Sequence, residues 1–259
     1  MIPIQPSEGG YRYHQSFRTG GALLYSNGKQ MLKIAGDEYT LLHEYNNIIR
    51  QIQAKAGKYL PMPISLRSMN GHPVLQMANP GPTIAEIADS MTKCEIILCL
   101  LQAIHFLVLC WNEIEVEGVH PETLCARYRD SFIELRFTDF SRWHTSIQLA
   151  EQGKSKDQIL AHNVWMLLQF PWDFILDRPD CIELWRTLNT HLPKPKPNAI
   201  TMRNNFTFHD ESRLIMKSDL LSLALHLIRD LDCRNDAHWE RVQGLYLNIH
   251  KACMPVETS

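Results

Sequence analysis

Residues 117–141 read Glu-Gly-Val-His-Pro-Glu-Thr-Leu-Cys-Ala-Arg-Tyr-Arg-Asp-Ser-Phe-Ile-Glu-Leu-Arg-Phe-Thr-Asp-Phe-Ser. Val119-His120 opens a turn that Pro121 fixes. Ile133, Leu135 and Phe137 then alternate with Glu134 and Arg136, the period of a half-buried strand. That strand delivers Asp139-Phe140-Ser141. Ahead of the stretch, residues 93–112 are strongly apolar and hold no Gly or Pro, which predicts a buried helix. The order is therefore a core helix, a His-led loop, a short hairpin and an Asp-Phe-small triplet.

Upstream of the helix the chain changes character. Two strand-like runs, Tyr11–Phe17 and Ala22–Tyr25, flank Thr19-Gly20-Gly21. Ser26-Asn27-Gly28-Lys29 is a hairpin signal, because Asn-Gly accepts the positive φ angles of the tight turn. It leads into Gln30–Ala35. Asp37-Glu38-Tyr39 then predicts a helix start, with Leu41, Leu42, Tyr45, Ile48, Ile49 and Ile52 at helical spacing and Glu44 on the turn between them. Pro61–Ile64 and His72–Met77 read as short strands around Asn70-Gly71. Ala78-Asn79-Pro80-Gly81-Pro82 reads as a linker into a mostly helical remainder. The expectation is an α+β protein, with a β-rich block carrying one helix over 1–82 and a helical block over 83–259.

Composition narrows the function classes. The 259 residues suffice for a sizeable core, and 45% apolar with 21% charged residues is ordinary for a globular chain. A net charge of −2 gives no electrostatic case for nucleic acid or an anionic membrane. The N-terminus has no basic and apolar leader, and Gln102 and His105 interrupt the longest apolar run. The expectation is a chain without signal peptide or membrane span, in the cytoplasm or nucleus. Seven cysteines without CxxC spacing read as reduced thiols, and the sequon Asn205-Phe206-Thr207 reads as chance. Twelve histidines show neither HExxH nor His-x₃-His spacing, so no metal site is expected from them. His105 reads as a core histidine and Cys125 as a small buried residue rather than a nucleophile.

The layout resembles the catalytic region of protein kinases, where the loop reads H-R-D-x-x-x-x-N and the triplet D-F-G. The resemblance follows residues 11–141 in order and implies a two-lobe fold hinged at about 76–82, with a small β-rich N-lobe and a larger helical C-lobe. It also implies site residues. Lys33 would bind nucleotide phosphates, Glu44 would hold that lysine by an ion pair, and Gly21 would close the phosphate loop. Leu75–Ala78, with Met77, would face adenine, and Asp139 would bind a metal. ATP and Mg²⁺ are the cofactors implied. Phe140 and His120 would stack in the lower part of the family's apolar spine.

The departures from the pattern are as informative. Positions 16 and 18, where the first two loop glycines would fall, hold Ser and Arg. Met31 stands where a small residue leaves room for adenine. The catalytic aspartate falls on Glu122, one methylene longer, and a misplacement of about 1 Å can cost on the order of a hundredfold in rate. The asparagine ligand five residues on falls on Arg127, whose guanidinium accepts no metal. Ser141 replaces the last glycine of the triplet. The resemblance also implies a buried helix begun by an aspartate, for which Asp157 and Asp219 both qualify; spacing favours Asp157. Leu192-Pro193-Lys194-Pro195-Lys196-Pro197 reads as a solvated linker. The expected function is a pseudokinase that binds a protein partner. The alternative is an atypical ATP-dependent phosphotransferase with Glu122 as base and Asp139 as metal ligand, acting on a protein or small-molecule hydroxyl.

Overall fold

The computed structural model describes residues 10–16, 22–35, 37–69, 71–130, 132–151, 155–192, 216–231 and 236–254. Gly21, the sequon at 205–207 and residues 193–197 of the Lys-Pro run lie outside them. The fold is mixed α+β. Strands β1 (Arg12–Ser16), β2 (Leu23–Ser26), β3 (Gln30–Ile34), β4 (Ile64–Met69) and β5 (His72–Ala78) form an antiparallel sheet in the order β1-β2-β3-β5-β4. The β2–β3 turn is built on Asn27, whose Oδ1 accepts from the amides of Lys29 at 3.1 Å and Gln30 at 2.8 Å. The strand expected from Pro61 begins instead at Ile64. Pro61 and Pro63 have no N–H for a ladder and serve only as acceptors, both for the amide of Ala78.

Asp37 caps the next helix, its Oδ1 accepting from Thr40 N at 2.7 Å. The helix runs as α1 (Glu38–His43), passes through a π-helical stretch Glu44–Ile49, and continues as α2 (Arg50–Ala56). Leu41, Ile48, Ile49 and Ile52 are buried along it. The linker after β5 then passes tightly against the later hairpin. Gly81 has φ +97°, and a Cβ there would sit 2.6 Å from the carbonyl oxygen of Ala126, so only glycine fits. The Ala126 amide donates to Pro82 O at 2.8 Å.

Beyond the short α3 (Ile84–Ile87), Thr92 and Glu95 form a capping box that starts α4 (Lys93–Cys110). By length and composition α4 could cross a membrane, yet 78% of it is buried inside the fold. Two polar side chains explain how so apolar a helix is placed. Gln102 accepts from Leu135 N at 3.0 Å and donates to Ile133 O at 2.8 Å. The Tyr59 hydroxyl lies 2.7 Å from His105 Nδ1. Burial and the Lys58 charge push His105 down to about 4, so its neutral ring accepts from Tyr59.

After α4 come β6 (Ile114–Glu115), the hairpin β7 (Leu124–Arg129) and β8 (Phe132–Phe137), and β9 (His144–Thr145), which pairs with β6. Helices α5 (Ser146–Glu151), α6 (Lys156–Leu168), α7 (Ile182–His191), α8 (Lys217–Arg229) and α9 (Asp236–Cys253) complete the described chain. One apolar cluster runs from Leu24, Met31 and Leu75 on the sheet, through α1, α2 and α4, to Val164 of α6 and Leu223 of α8. Tyr11, Tyr25, Leu32 and Val74 form a second cluster. Period-two alternation thus puts Leu32 on one face of β3, and Met31 and Lys33 on the other.

Both candidate aspartates lie in the first turn of a partly buried helix, Asp157 in α6 and Asp219 in α8, and neither carboxylate is itself buried. Asp157 is exposed. Asp219 caps its own helix, accepting from Met216 N at 2.8 Å. The buried polar anchor on α6 is Asn163, which accepts from Val116 N and donates to Ile114 O, both at 2.7 Å. The cysteines also depart from expectation: Cys94 is disulfide-bonded, whereas Cys99, Cys110, Cys125, Cys181 and Cys253 are free thiols.

Candidate functional site

Three elements bring one cation and two carboxylates together in the interior. Lys33 arrives from β3, Glu44 from the first residue of the π-helical stretch, and Asp139 from the segment after β8. Lys33 Nζ donates to Glu44 Oε1 at 2.9 Å and Oε2 at 2.8 Å, and to Asp139 Oδ1 at 2.6 Å. Lys33 and Glu44 are fully buried, and Asp139 is 7% exposed. The hairpin places Asp139 because Gln102 holds β8 to α4 and Thr138 Oγ1 donates to Thr123 O at 2.7 Å. Ser141 finishes the turn, donating to Asp139 Oδ1 from its amide at 3.2 Å and its hydroxyl at 2.8 Å. The Phe140 amide donates to the Glu44 carboxylate.

An ammonium carries three donors, and here all three point at carboxylate oxygens. The group as a whole has two carboxylates for one ammonium, an excess negative charge with little access to water. Burial drives the Glu44 carboxyl up to about 7, against the pull of Lys33 and with the added repulsion of Asp139. For Asp139, burial pushes up, but Lys33 and the two Ser141 donors outweigh it and hold the carboxyl below its ordinary value. Burial alone would lower Lys33; Asp139 and then Glu44 more than reverse it. The excess charge is therefore relieved by a proton on Glu44, while Asp139 stays ionised.

A pH dependence follows. Folded Glu44 binds its proton more tightly than the unfolded side chain, so its contribution to stability is fully present below 4.5 and is lost as pH rises through about 7. Asp139 acts in the opposite sense: its contribution is present above 3.8 and is lost as pH falls through its lowered folded value. Urea midpoints of the wild type are expected to decline across the window from 4.5 to about 7, and Glu44→Gln is expected to flatten that decline. An unchanged slope in the variant would show that Glu44 keeps its ordinary affinity for protons.

The other residues singled out by the sequence fall as follows. Met77 is buried and sits across from Met31 in the β3–β5 register, and Met31 is 4% exposed, so this face of the sheet is filled by methionine. Glu122 is half-buried in the turn between His120 and Thr123. His120 packs edge-on against Phe170 at 4.8 Å, whereas Phe140 packs on Trp143 at 5.0 Å. Arg127, on which the resemblance puts the asparagine ligand, is exposed in β7 opposite Glu134, away from Asp139. The strand begins at Leu124, paired with Phe137, so Thr123 is the residue next to the Asp139 segment. Cys125 is buried, and burial raises its thiol to about 12, which suits packing and not nucleophilic attack.

Sequence reasoning missed Gln102, Asn163 and Trp143 as positioning residues. A polar residue within an otherwise apolar helix was the available signal for Gln102. No protein-family model matches the chain, and no curated protein matches it.

Proposed function

We propose that this chain is a protein-kinase-like module that does not transfer phosphate and works by binding a protein partner. In this reading residues 1–82 are the N-lobe, hinged at about 76–82, and residues 83–259 are the C-lobe. The observation that carries it is the closure of the triad: each Lys33 donor is directed at Glu44 or Asp139 within a site at most 7% exposed. A nucleotide phosphate would have to displace a buried carboxylate to reach the ammonium. ATP with Mg²⁺ would supply an activated phosphoryl group, and the residues present fit that pair poorly. Asp139 Oδ1 already accepts from Lys33 and Ser141, and Mg²⁺ requires octahedral oxygen coordination. Among the described residues no cluster of three or more His, Cys, Asp or Glu side chains is placed to hold a metal.

Thermal denaturation with millimolar ATP, with and without Mg²⁺, is the test. A ligand that binds only the folded state raises the midpoint by mass action. No shift is expected in either condition. A Mg²⁺-dependent rise that Asp139→Asn abolishes would overturn the reading. One observation favours the second reading, a phosphotransferase with Glu122 as base and Asp139 as metal ligand: Arg127 lies out on the hairpin and puts no cation beside Asp139. That reading requires transfer of label from ATP, lost in Glu122→Gln.

A further inference from the structure

At the far end of the β7–β8 hairpin lies a cavity of about 480 Å³. Five residue steps separate Leu124, at the Asp139 end, from Arg129 at the tip, about 17 Å along the strand. The cavity is therefore distinct from the triad. Four cationic side chains, Lys58, Arg129, Arg136 and Arg241, line it with only two acidic ones, Asp130 and Glu134. This is a local excess of positive charge in a chain whose net charge is −2.

Three of the cations are held in place, whereas Arg129 is exposed and lies 4.0 Å from Asp130. Arg136 Nη2 donates to Glu134 Oε2 at 2.6 Å, and its Nη1 donates to the Lys58 carbonyl. The Arg241 guanidinium lies over the Phe132 ring, 5.1 Å from its centroid, and Lys58 Nζ lies 5.1 Å from that of Tyr59. Rings that position cations in advance reduce the ordering cost of binding an anion. Burial, and then the neighbouring Arg136 charge, hold the Lys58 ammonium below its ordinary value. These cations repel one another, and a bound anion would relieve the repulsion.

A second, independent observation comes from α9. Gly244 lines the same cavity, within the helix, where glycine is the poorest choice after proline. Its φ is not positive, and a Cβ at this position would meet nothing within 4 Å, so neither backbone nor packing demands glycine. What the missing side chain leaves is room in the cavity.

We infer that this cavity is a binding site for a small molecule bearing a phosphate monoester, held by Arg241, Arg129 and Lys58 over an open floor at Gly244. Its volume falls within the range of about 300–1,000 Å³ typical of small-molecule sites. A phosphate monoester carries a charge of about −1.5 to −2 near neutral pH, which matches the excess of cations. Guanidinium groups bind its oxygens through paired N–H donors.

The test is isothermal titration of the full chain with inorganic phosphate and with phenyl phosphate, using a phosphate-free dicarboxylate (succinate) as the control for charge alone. Binding of phenyl phosphate at one site is expected, stronger than that of succinate. Arg241→Gln is expected to weaken it by about tenfold, the effect of losing one charge-assisted contact. Gly244→Leu is expected to abolish it while the melting midpoint holds or rises, because leucine favours the helix and fills the space. Absence of binding, equal binding of succinate, or undiminished binding in Gly244→Leu would each overturn the inference.

Discussion

Lys33→Met is expected to destabilise the fold by about 3–5 kcal/mol near neutral pH, the usual cost of removing one partner from a buried ion pair. Methionine is close in length and apolar, so the loss comes from charge rather than from a cavity. With Lys33 gone, Glu44 and Asp139 face each other with no cation, in a site nearly sealed from water. Both carboxyls then bind protons more readily folded than unfolded. The loss should therefore shrink as pH falls toward the ordinary carboxylate range, where the buried pair is neutralised. Adding Glu44→Gln to Lys33→Met should recover part of the stability at neutral pH, because a neutral amide needs no proton to be buried, whereas Glu44 without Lys33 must take one up on folding. Urea titrations at neutral and mildly acid pH measure all of this. A loss below about 1 kcal/mol at neutral pH, in the range of an exposed pair, would mean that water reaches the triad.

Trp143→Ala should also cost about 3–5 kcal/mol, the range for deleting a large buried aromatic side chain. The indole is fully buried, with ring centroids 5.0 Å from Phe140, 5.5 Å from Phe137 and 5.9 Å from Phe106. It ties the end of β8, the Asp139 segment and α4 into one aromatic group. Its Nε1–H has no hydrogen-bond partner. Trp143→Phe should therefore be much milder than Trp143→Ala, since phenylalanine keeps most of the ring contacts and leaves no buried donor unpaired. If the two variants unfold at the same urea concentration, packing at this position is not what holds the segment.

The parts of the fold carried by local chemistry were legible in the sequence. The Asn27-Gly28 turn, the cap at Asp37, the apolar run of α4 and the alternation of β8 each depend on a few adjacent residues, and each lies close to where it was expected. The parts that depend on register were not. Where the Arg127 side chain lies relative to Asp139 depends on where β7 begins, and strand pairing decides that. The pairing of Glu44 with Lys33 was expected and is present, but the backbone that carries Glu44 was not. A regular helix from Asp37 predicts its direction only approximately, and the π-helical stretch from Glu44 to Ile49 shifts the side chains that follow. The cavity at Gly244 was invisible for another reason: its lining comes from the turn after α2, from α4, the β7–β8 hairpin and α9, distant in sequence and brought together only by packing.

The amide of Gln102 completes, with one side chain, a ladder for which no neighbouring strand is at hand. Between Ile133 and Leu135 it supplies both an acceptor and a donor to the backbone of β8, and so closes that edge of a two-stranded hairpin. The Leu135 N–H is then released to solvent only when the hairpin parts from α4. Slow opening motions of the helix and of the Asp139 segment are thereby coupled into one cooperative unit, so local fluctuation of the hairpin alone cannot expose the buried charges.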